Sequence, residues 1–310
     1  MPKTRSFPSA VVVSALGLLL VGCTARSATS APTATTARSA PTTTEAPTTT
    51  TTTEQPGWTV VTMDRGAIAV DSQSVTEPDG HVVTIFRFRS GQTRFGLHVG
   101  STDPPTGTAT VGPDSGPTVG PDEAPTLVSV FNGGFEVGAG AGGFELNGQT
   151  LVPLVTGDAS LVIDADGSAR VGVWGQGLPA SGEQVVSVRQ NLPPLVTGGA
   201  PSAEVATIGA WGATLGGGSA VARSALGEDA SGNVLYAAGM VALPSDMAGA
   251  LAGAGVVTAM ELDINPEWVQ LDSAPAPGAP LVAGIPGQNR PPNQYQVGWT
   301  RDFVTVMAAH

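Results

Sequence analysis

Cysteine and histidine are scarce in this chain of 310 residues. Cys23 is the only cysteine, so the protein can form no internal disulfide and no cysteine-based metal site. The three histidines, at positions 81, 98 and 310, are widely spaced and form no HExxH-type pair. This pattern argues against a zinc enzyme, which needs several ligands close together.

Positive charge is also scarce. Lys3 is the only lysine, and the chain carries 13 basic residues against 25 acidic ones, for a formal net charge of −12. An acidic surface without lysine repels phosphate backbones and anionic lipid headgroups. We therefore expect no nucleic-acid partner, and contact with a membrane only through a covalent anchor.

The N-terminus has the features of an export signal. Lys3 and Arg5 precede an apolar stretch over residues 11–21. The stretch falls short of the roughly 20 apolar residues that span a bilayer, but it suits the core of a secretory signal. It ends in Leu20-Val21-Gly22-Cys23, which resembles a bacterial lipobox. We predict a signal peptide over 1–22 and an extracytoplasmic protein held at the cell membrane by a lipid on its cysteine. The alternative is an ordinary secretory signal with an incidental cysteine.

Residues 23–56 differ in composition from the rest of the chain. Thr, Ser, Ala and Pro dominate, and Thr48–Thr53 is an unbroken threonine run. A segment without large apolar residues cannot bury enough surface to offset its conformational entropy, so we predict a disordered stalk. No second segment of this kind follows, and residues 57–310 are therefore predicted to form a single globular domain.

The globular part has the pattern of many strands and a few short helices. Alternating or continuous apolar residues predict strands over 81–89, 127–131, 233–243 and 256–263, and a hairpin that joins 161–163 to 169–174. Ser245 is a candidate N-cap for a short helix that Gly255 ends. We expect the α+β class with strand-rich mixed sheets. The Pro/Gly-rich loop 101–125 is either a surface insertion or a lid over a cleft.

The segment Met260–Glu267 carries the most chemistry. Side chains alternate between the faces of a strand, so Glu261, Asp263 and Asn265 are expected on one face, just before Pro266 ends the strand. Carboxylates roughly 6–7 Å apart can divide acid and base roles in hydrolysis, because their repulsion separates their pKa values. They are equally suited to hold a hard cation such as calcium. A third interpretation is the solvent-facing half of an edge strand.

Four short motifs occur in a fixed order along the globular part. They are Phe131-Asn132-Gly133-Gly134-Phe135; Pro194-Leu195-Val196 with Gly198-Gly199; Arg223-Ser224-Ala225-Leu226-Gly227 with Gly232-Asn233-Val234-Leu235; and Ala259-Met260-Glu261-Leu262-Asp263. Together they resemble the phosphodiester glycosidase family, whose members include N-acetylglucosamine-1-phosphodiester alpha-N-acetylglucosaminidase and many bacterial exopolysaccharide-associated proteins. Members of this family remove a sugar from a sugar-1-phosphodiester.

The resemblance implies a set of site residues. Asp263 matches the family's strand-end aspartate and would act as acid or base or orient water, with Glu261 in support. Arg223 would bind the anionic phosphodiester through its guanidinium fork, unless it forms a surface salt bridge instead. Asn132-Gly133-Gly134 would bring backbone amides to the substrate, or form an ordinary Asn-Gly turn. Arg189 is a candidate second contact to the anion.

The residues after Asp263 depart from the family pattern. The family continues as Asp-Gly-Gly-Gly-Ser, whereas Ile264-Asn265-Pro266-Glu267-Trp268 follows in this chain. Either the substrate differs, with Asn265 contacting it and Trp268 stacking on a sugar ring, or catalysis has been lost and a glycan-binding cleft remains.

Two functions therefore stay open, with a purely structural surface protein as a third alternative. The first is a divergent phosphodiester glycosidase that acts on sugar-1-phosphodiesters of envelope or extracellular glycan. It needs no cofactor, unless a divalent cation such as calcium takes part. The second is a non-catalytic envelope lipoprotein that binds glycan or another protein.

Overall fold

Strands form most of the regular backbone in this computed structural model, which describes residues 57–309. In chain order the strands are β1 (Thr59–Asp64), β2 (Ala67–Thr76), β3 (Val82–Phe88), β4 (Thr93–His98), β5 (Leu127–Asn132), β6 (Phe144–Leu146), β7 (Gln149–Val152), β8 (Ala159–Ile163), β9 (Ala169–Val173), β10 (Ser187–Gln190), β11 (Val196–Thr197), β12 (Ala200–Pro201), β13 (Val221–Asp229), β14 (Val234–Ala242), β15 (Val256–Ile264), β16 (Leu271–Ser273), β17 (Val282–Ala283) and β18 (Phe303–Ala308). The helices are α1 (Pro244–Gly253) and α2 (Gln294–Val297), with five short 3-10 turns besides.

The fold is mostly β, which corrects the expected α+β balance. The expectation of a strand-rich domain is confirmed, but the part of the chain that the structure describes has three sheets and only two helices. Neither of these helices is long and apolar enough to cross a membrane. The predicted signal peptide, the lipidated Cys23 and the stalk lie outside the described residues and stay predictions.

The largest sheet positions the polar segment that the sequence singles out. It has eight strands in the order β1-β2-β3-β14-β13-β15-β11-β12, and its neighbours are antiparallel. The predicted buried strand over 256–263 is confirmed as β15, which lies between β13 and β11. Every residue from 259 to 264 is buried, so the interpretation of this segment as the solvent-facing half of an edge strand is wrong.

Each face of this sheet packs against a different part of the fold. Met260 and Leu262 face the main hydrophobic core, which also takes side chains from two five-stranded sheets, β7-β6-β10-β8-β9 and β17-β16-β5-β18-β4. Ala259 faces a second core that α1 covers. Burial on both faces explains why β15 is an almost continuous apolar run, and why its two carboxylates need partners.

The N-cap of α1 lies two residues before the predicted one. Leu243 is the N-cap and Pro244 the first helical residue, and the Asp246 carboxylate accepts the backbone N–H of Leu243 at 2.7 Å. The cap therefore comes from Asp246 and not from Ser245. The end of the helix is as predicted, because Gly255 follows with a positive φ of 90° that favours glycine.

The loop 101–125 is attached to the body of the protein through a buried carboxylate. Glu123 lies 2.9 Å from the Nε2 atom of His98 and accepts hydrogen bonds from the Thr305 hydroxyl and the Gly120 N–H at 2.7 and 3.1 Å. No residue of this loop lines the candidate cleft found within residues 57–309. This arrangement favours the surface insertion over the lid.

Candidate functional site

A bulge in β15 separates the two carboxylates that strict alternation places on one face. Arg223 pairs with Ile264 and Ala225 with Glu261, so β15 carries one more residue than β13 between these pairs. The bulge turns Asp263 toward a cleft, whereas Glu261 lies beside Trp211 and Arg223 in the core under α1. Bulges of this kind re-aim a side chain at the end of a strand.

Arg223 and Glu261 form a buried pair below the cleft. Arg223 Nη1 lies 2.7 Å from Glu261 Oε1 and also donates to the Trp211 carbonyl at 3.0 Å, while Nε donates to the Ala242 carbonyl. Both side chains are fully buried, and neither lines the cleft. Burial raises the pKa of Glu261 to about 8, although the Arg223 guanidinium opposes this rise. In this arrangement the pair joins β13 to β15 and does not face the cleft. Because both side chains are buried, the alternative of a surface salt bridge for Arg223 is excluded.

The cleft lies where β15 ends and has a volume of about 510 Å³. Its floor includes Asp263, Asn265, Trp268 and Arg301. One wall is formed by Phe135, Glu136, Ala139 and Leu192, and the other by small residues of a loop, Gly209, Ala210, Gly212 and Ala213. Apolar walls around a few convergent polar groups are typical of small-ligand sites.

Asp263 and Arg301 lie side by side in this floor. Arg301 Nη2 lies 3.0 Å from Asp263 Oδ2, and the guanidinium carbon lies 4.6 Å from the centre of the Trp268 ring. Arg301 also donates to the Gly134 carbonyl at 3.3 Å, and its Nε has no hydrogen-bond partner in the described residues. Among the described residues that line the cleft, Arg301 is the one cation, so it is the group that an anionic ligand would meet.

The Asp263 carboxyl is held in a position where its charge is costly. It is 4% exposed, and Oδ1 accepts the Ile264 N–H at 2.9 Å. Burial raises the pKa of Asp263 to about 8, and the nearby Asp302 carboxylate adds to the rise, while Arg301 and the Ile264 N–H act against it. A carboxyl with a pKa near neutrality can exchange protons during a reaction.

The segment Asn132-Gly133-Gly134 supports Asp263 from below. The Gly133 carbonyl accepts the Asp263 N–H at 3.1 Å, and the Asn132 side chain donates to the Ser224 hydroxyl and accepts from the Tyr236 hydroxyl, at 2.9 and 2.8 Å. These three residues are buried and none lines the cleft. A Cβ on Gly133 would lie 1.9 Å from an Asp302 oxygen, so glycine is needed here for close packing.

Arg189 lies deeper than the sequence suggested. Its Nε and Nη2 atoms contact the Asp302 carboxylate at 2.7 and 3.2 Å, and its remaining donors reach the carbonyls of Gln190 and Phe135. The side chain is 1% exposed and does not line the cleft. Arg189 therefore fixes Asp302, which in turn contacts the Gly133-Gly134 turn.

Asn265 shapes the small-residue wall. It has a positive φ of 75°, and its side chain accepts the Leu215 N–H at 2.8 Å and donates to the Ala213 carbonyl at 3.3 Å. Asparagine tolerates this backbone conformation better than most residues. Of the nine residues predicted from the sequence, Asp263, Asn265 and Trp268 line the cleft, whereas the other six lie beneath it or beside it.

Arg301 is the functional candidate that sequence reasoning missed. It precedes β18, lies 38 positions after Asp263, and belongs to none of the four motifs. The scarcity of basic residues offers the one available signal, because each arginine of such an acidic chain needs an explanation. Glu136 was missed as well; it is the second carboxylate that lines the cleft.

Metal-binding groups do not converge on the cleft. One group of three side chains within residues 57–309 is close enough together to hold a cation. It consists of Asp79, His81 and Asp246, whose ligand atoms lie within 4.8 Å of one another. His81 Nδ1 is 2.8 Å from Asp79 and 2.7 Å from Asp246, so contacts of the imidazole with the two carboxylates account for the closeness of this group. Neither Glu261 nor Asp263 belongs to it.

Comparisons with known proteins give a distant likeness in fold. No protein-family model and no curated protein matches the chain. Among solved structures, the catalytic domain of zebrafish N-acetylglucosamine-1-phosphodiester alpha-N-acetylglucosaminidase, auto-inhibited by its pro-peptide, is similar over 81% of this chain and 87% of that chain, at 14% identity and a TM-score of 0.46. A hypothetical protein from Synechocystis is similar over 79% of this chain and 63% of that chain, at 13% identity and a TM-score of 0.47. A Burkholderia pseudomallei protein described as exported is similar over 73% of this chain and 74% of that chain, at 12% identity and a TM-score of 0.38. At these TM-scores the likeness carries no argument about activity.

Proposed function

We propose that the protein is a divergent phosphodiester glycosidase, which hydrolyses the bond between a sugar and a phosphodiester in envelope or extracellular glycan. The observation that carries the proposal is the Asp263 carboxyl in the floor of the cleft, 3.0 Å from Arg301 and beside the Trp268 indole. These groups supply a proton acceptor, an anion contact and a stacking surface in one place.

The leaving group decides which role Asp263 takes. Cleavage of the glycosidic bond releases a phosphate monoester, whose second pKa is about 6, so the group departs without a proton from the protein. Water is the partner that needs activation. The ionised Asp263 accepts a proton from water, the water oxygen bonds to the anomeric carbon, and the electrons of the broken bond pass to the phosphate oxygen.

Arg301 takes the anion-binding role that the family resemblance gives to Arg223. Arg301 is the one cation among the described residues that line the cleft, and its guanidinium would bind the non-bridging oxygens of a phosphodiester and stabilise the charge that develops on departure. Trp268 would stack on the sugar ring. Arg223 and Glu261 support the site by holding β13 against β15.

The test is sugar release from a panel of sugar-1-phosphodiesters, including nucleotide sugars, with calcium or EDTA added in parallel. We expect turnover by the wild type, and a loss of about 10²–10⁴-fold in kcat/KM for Asp263→Asn, which keeps the shape of the side chain but cannot accept the proton. Because the base must be ionised, kcat/KM should rise with pH toward a plateau above about 8. Asp122→Asn, at an exposed carboxylate on the loop 101–125, is the matched control. An Asp263→Asn variant as active as the wild type would overturn the assignment.

A second candidate is a glycan-binding protein without turnover. One observation favours it: Arg301 already pairs with Asp263 and lies over Trp268, so the polar groups of the cleft are engaged with one another. In that case the panel shows ligand binding by calorimetry and no sugar release, and Asp263→Asn changes affinity alone.

The proposed anchor is tested separately. We propose a lipidated Cys23 and an extracytoplasmic location, on the sequence pattern alone. Membrane fractionation of cells that express the full chain should recover the wild type with the membrane, and Cys23→Ala in the soluble fraction or the medium. Equal recovery of both with the membrane would refute the anchor.

A further inference from the structure

Arg290 is a cation without an acidic partner among residues 57–309 of this acidic protein. Of the nine arginines from residue 57 onward, six lie within 4.0 Å of a carboxylate, and Arg290 is not among them. Its Nε donates to the Glu267 carbonyl at 3.3 Å, and its guanidinium carbon lies 5.0 Å from the centre of the Trp299 ring. The guanidinium is thus held in place by a backbone acceptor and an indole, neither of which neutralises its charge.

Aromatic contacts connect Arg290 to the cleft. The Trp299 and Trp268 rings meet edge to face with centroids 5.9 Å apart, and Trp268 lines the cleft below Arg301. Both indoles are only partly buried. We call the series Arg301, Trp268, Trp299 and Arg290 the indole strip. Starting from the cleft, the order of groups is guanidinium, indole, indole, guanidinium.

The order of groups along the strip suits a repeating anion. A guanidinium stands at each end and two aromatic edges lie between them, so a ligand that offers phosphate, sugar and phosphate in sequence can contact every group. Guanidinium groups form charge-assisted hydrogen bonds with phosphate oxygens, and indoles provide apolar surface for sugar rings. A neutral glycan would leave the Arg290 guanidinium without an anionic partner, whereas a glycan with phosphodiester linkages supplies one.

We infer that the indole strip extends the binding site beyond the cleft, and that the ligand is a polymeric glycan whose units are joined through phosphodiesters. This inference rests on the proposed function for the phosphodiester held at Arg301. It adds that Arg290 binds the next phosphodiester along the chain, with Trp299 under the intervening sugar. The substrate is then cut within or at the end of a polymer, and a single sugar-1-phosphodiester occupies only the inner half of the site.

The experiment measures binding without turnover. The full chain carrying Asp263→Asn is titrated by calorimetry with an oligomer of at least four N-acetylglucosamine units joined by 1-phosphodiesters, and with a neutral N-acetylglucosamine oligomer of equal length. The same titrations are made after adding Arg290→Gln, Arg290→Lys or Arg94→Gln. Arg94 is the matched control, because it is an exposed arginine on β4 that also lacks a carboxylate partner within 4.0 Å in the described part of the chain.

We expect Arg290→Gln to weaken binding of the charged oligomer about tenfold, Arg290→Lys to weaken it less, and Arg94→Gln to leave it unchanged. The neutral oligomer should bind weakly and respond to none of these changes. Equal binding by Arg290→Gln and its parent, an equal loss in Arg94→Gln, or equal affinity for the neutral oligomer would each overturn the inference. Failure of the proposed function is distinguished by the separate sugar-release assay with the wild type, which does not depend on Arg290.

Discussion

Replacing Asp263 should change how stability depends on pH. Its carboxyl has a pKa of about 8 in the folded protein, against 3.8 for an unperturbed aspartate, because burial disfavours the charge. At pH values between these two pKa values, Asp263 holds a proton in the folded state and not in the unfolded state. The stabilisation that this proton gives is complete below the pKa of Asp263 in the unfolded state. It is lost as the pH rises through the pKa of Asp263 in the folded state.

The size of this effect follows from the shift. At about 1.4 kcal/mol for each tenfold change in proton affinity, the rise of the Asp263 pKa from 3.8 to about 8 sets an upper limit of about 6 kcal/mol between pH 4 and pH 8. Water entry and relaxation around a buried charge reduce this, and we expect Asp263 to contribute about 2–3 kcal/mol. Glu261 and Asp272, with pKa values raised by burial to about 8 and about 7, add to the decline in the same window.

Urea unfolding at several pH values between 4.5 and 8.5 measures the effect. The free energy of unfolding of the wild type should fall as the pH rises, and that of Asp263→Asn should fall less steeply, since asparagine does not titrate. Asp122→Asn, which removes an exposed carboxylate, should follow the wild type. The reasoning is refuted if Asp263→Asn and the wild type have parallel pH profiles, or if the wild type becomes more stable between pH 5 and pH 8.

Three further predictions concern the framework of the site. Gly133→Ala should destabilise the protein by about 3 kcal/mol or more, because the new Cβ would lie 1.9 Å from an Asp302 oxygen; thermal melting measures this, and an unchanged Tm would contradict it. Glu123→Ala should leave the His98 and Thr305 side chains without their buried acceptor, costing about 2–4 kcal/mol and opening the loop 101–125 to limited proteolysis; Asp122→Ala is the control, and equal cleavage of the two variants would argue against the attachment. Arg189→Lys should lose the fork to Asp302 and lower both Tm and sugar release, and retention of both would show that the fork does not support the cleft.

Local structure was largely predictable because its causes are local. The strands over 81–89, 127–131, 233–243 and 256–263 were confirmed within one or two residues, since burial on alternate or both faces leaves a pattern in neighbouring residues. The hairpin from 161–163 to 169–174 was confirmed for the same reason, with its turn residues between the strands. The predicted N-cap of α1 was wrong by two positions, because the Asp246 carboxylate, and not Ser245, accepts the free backbone N–H of Leu243.

The candidate site was predicted only in part. Asp263 lies at the end of β15, and Asn265 and Trp268 follow within five residues, so their nearness in sequence made their nearness in space predictable. Alternation on an ideal strand then placed Glu261 with them, and the bulge against β13 broke that alternation. A bulge depends on the register of the neighbouring strand, which the residues of β15 do not specify.

The sequence by itself determined an acidic, strand-rich domain with a polar segment at the end of a buried strand, since composition and periodicity are properties of short stretches of chain. Only the tertiary structure decided that Arg223 is paired below the cleft with Glu261, 38 positions away, and that Arg301 takes the place beside Asp263. The physical reason is that an arginine's partner is chosen by which strands lie side by side. Strand order joins residues across long separations, and no local pattern records it.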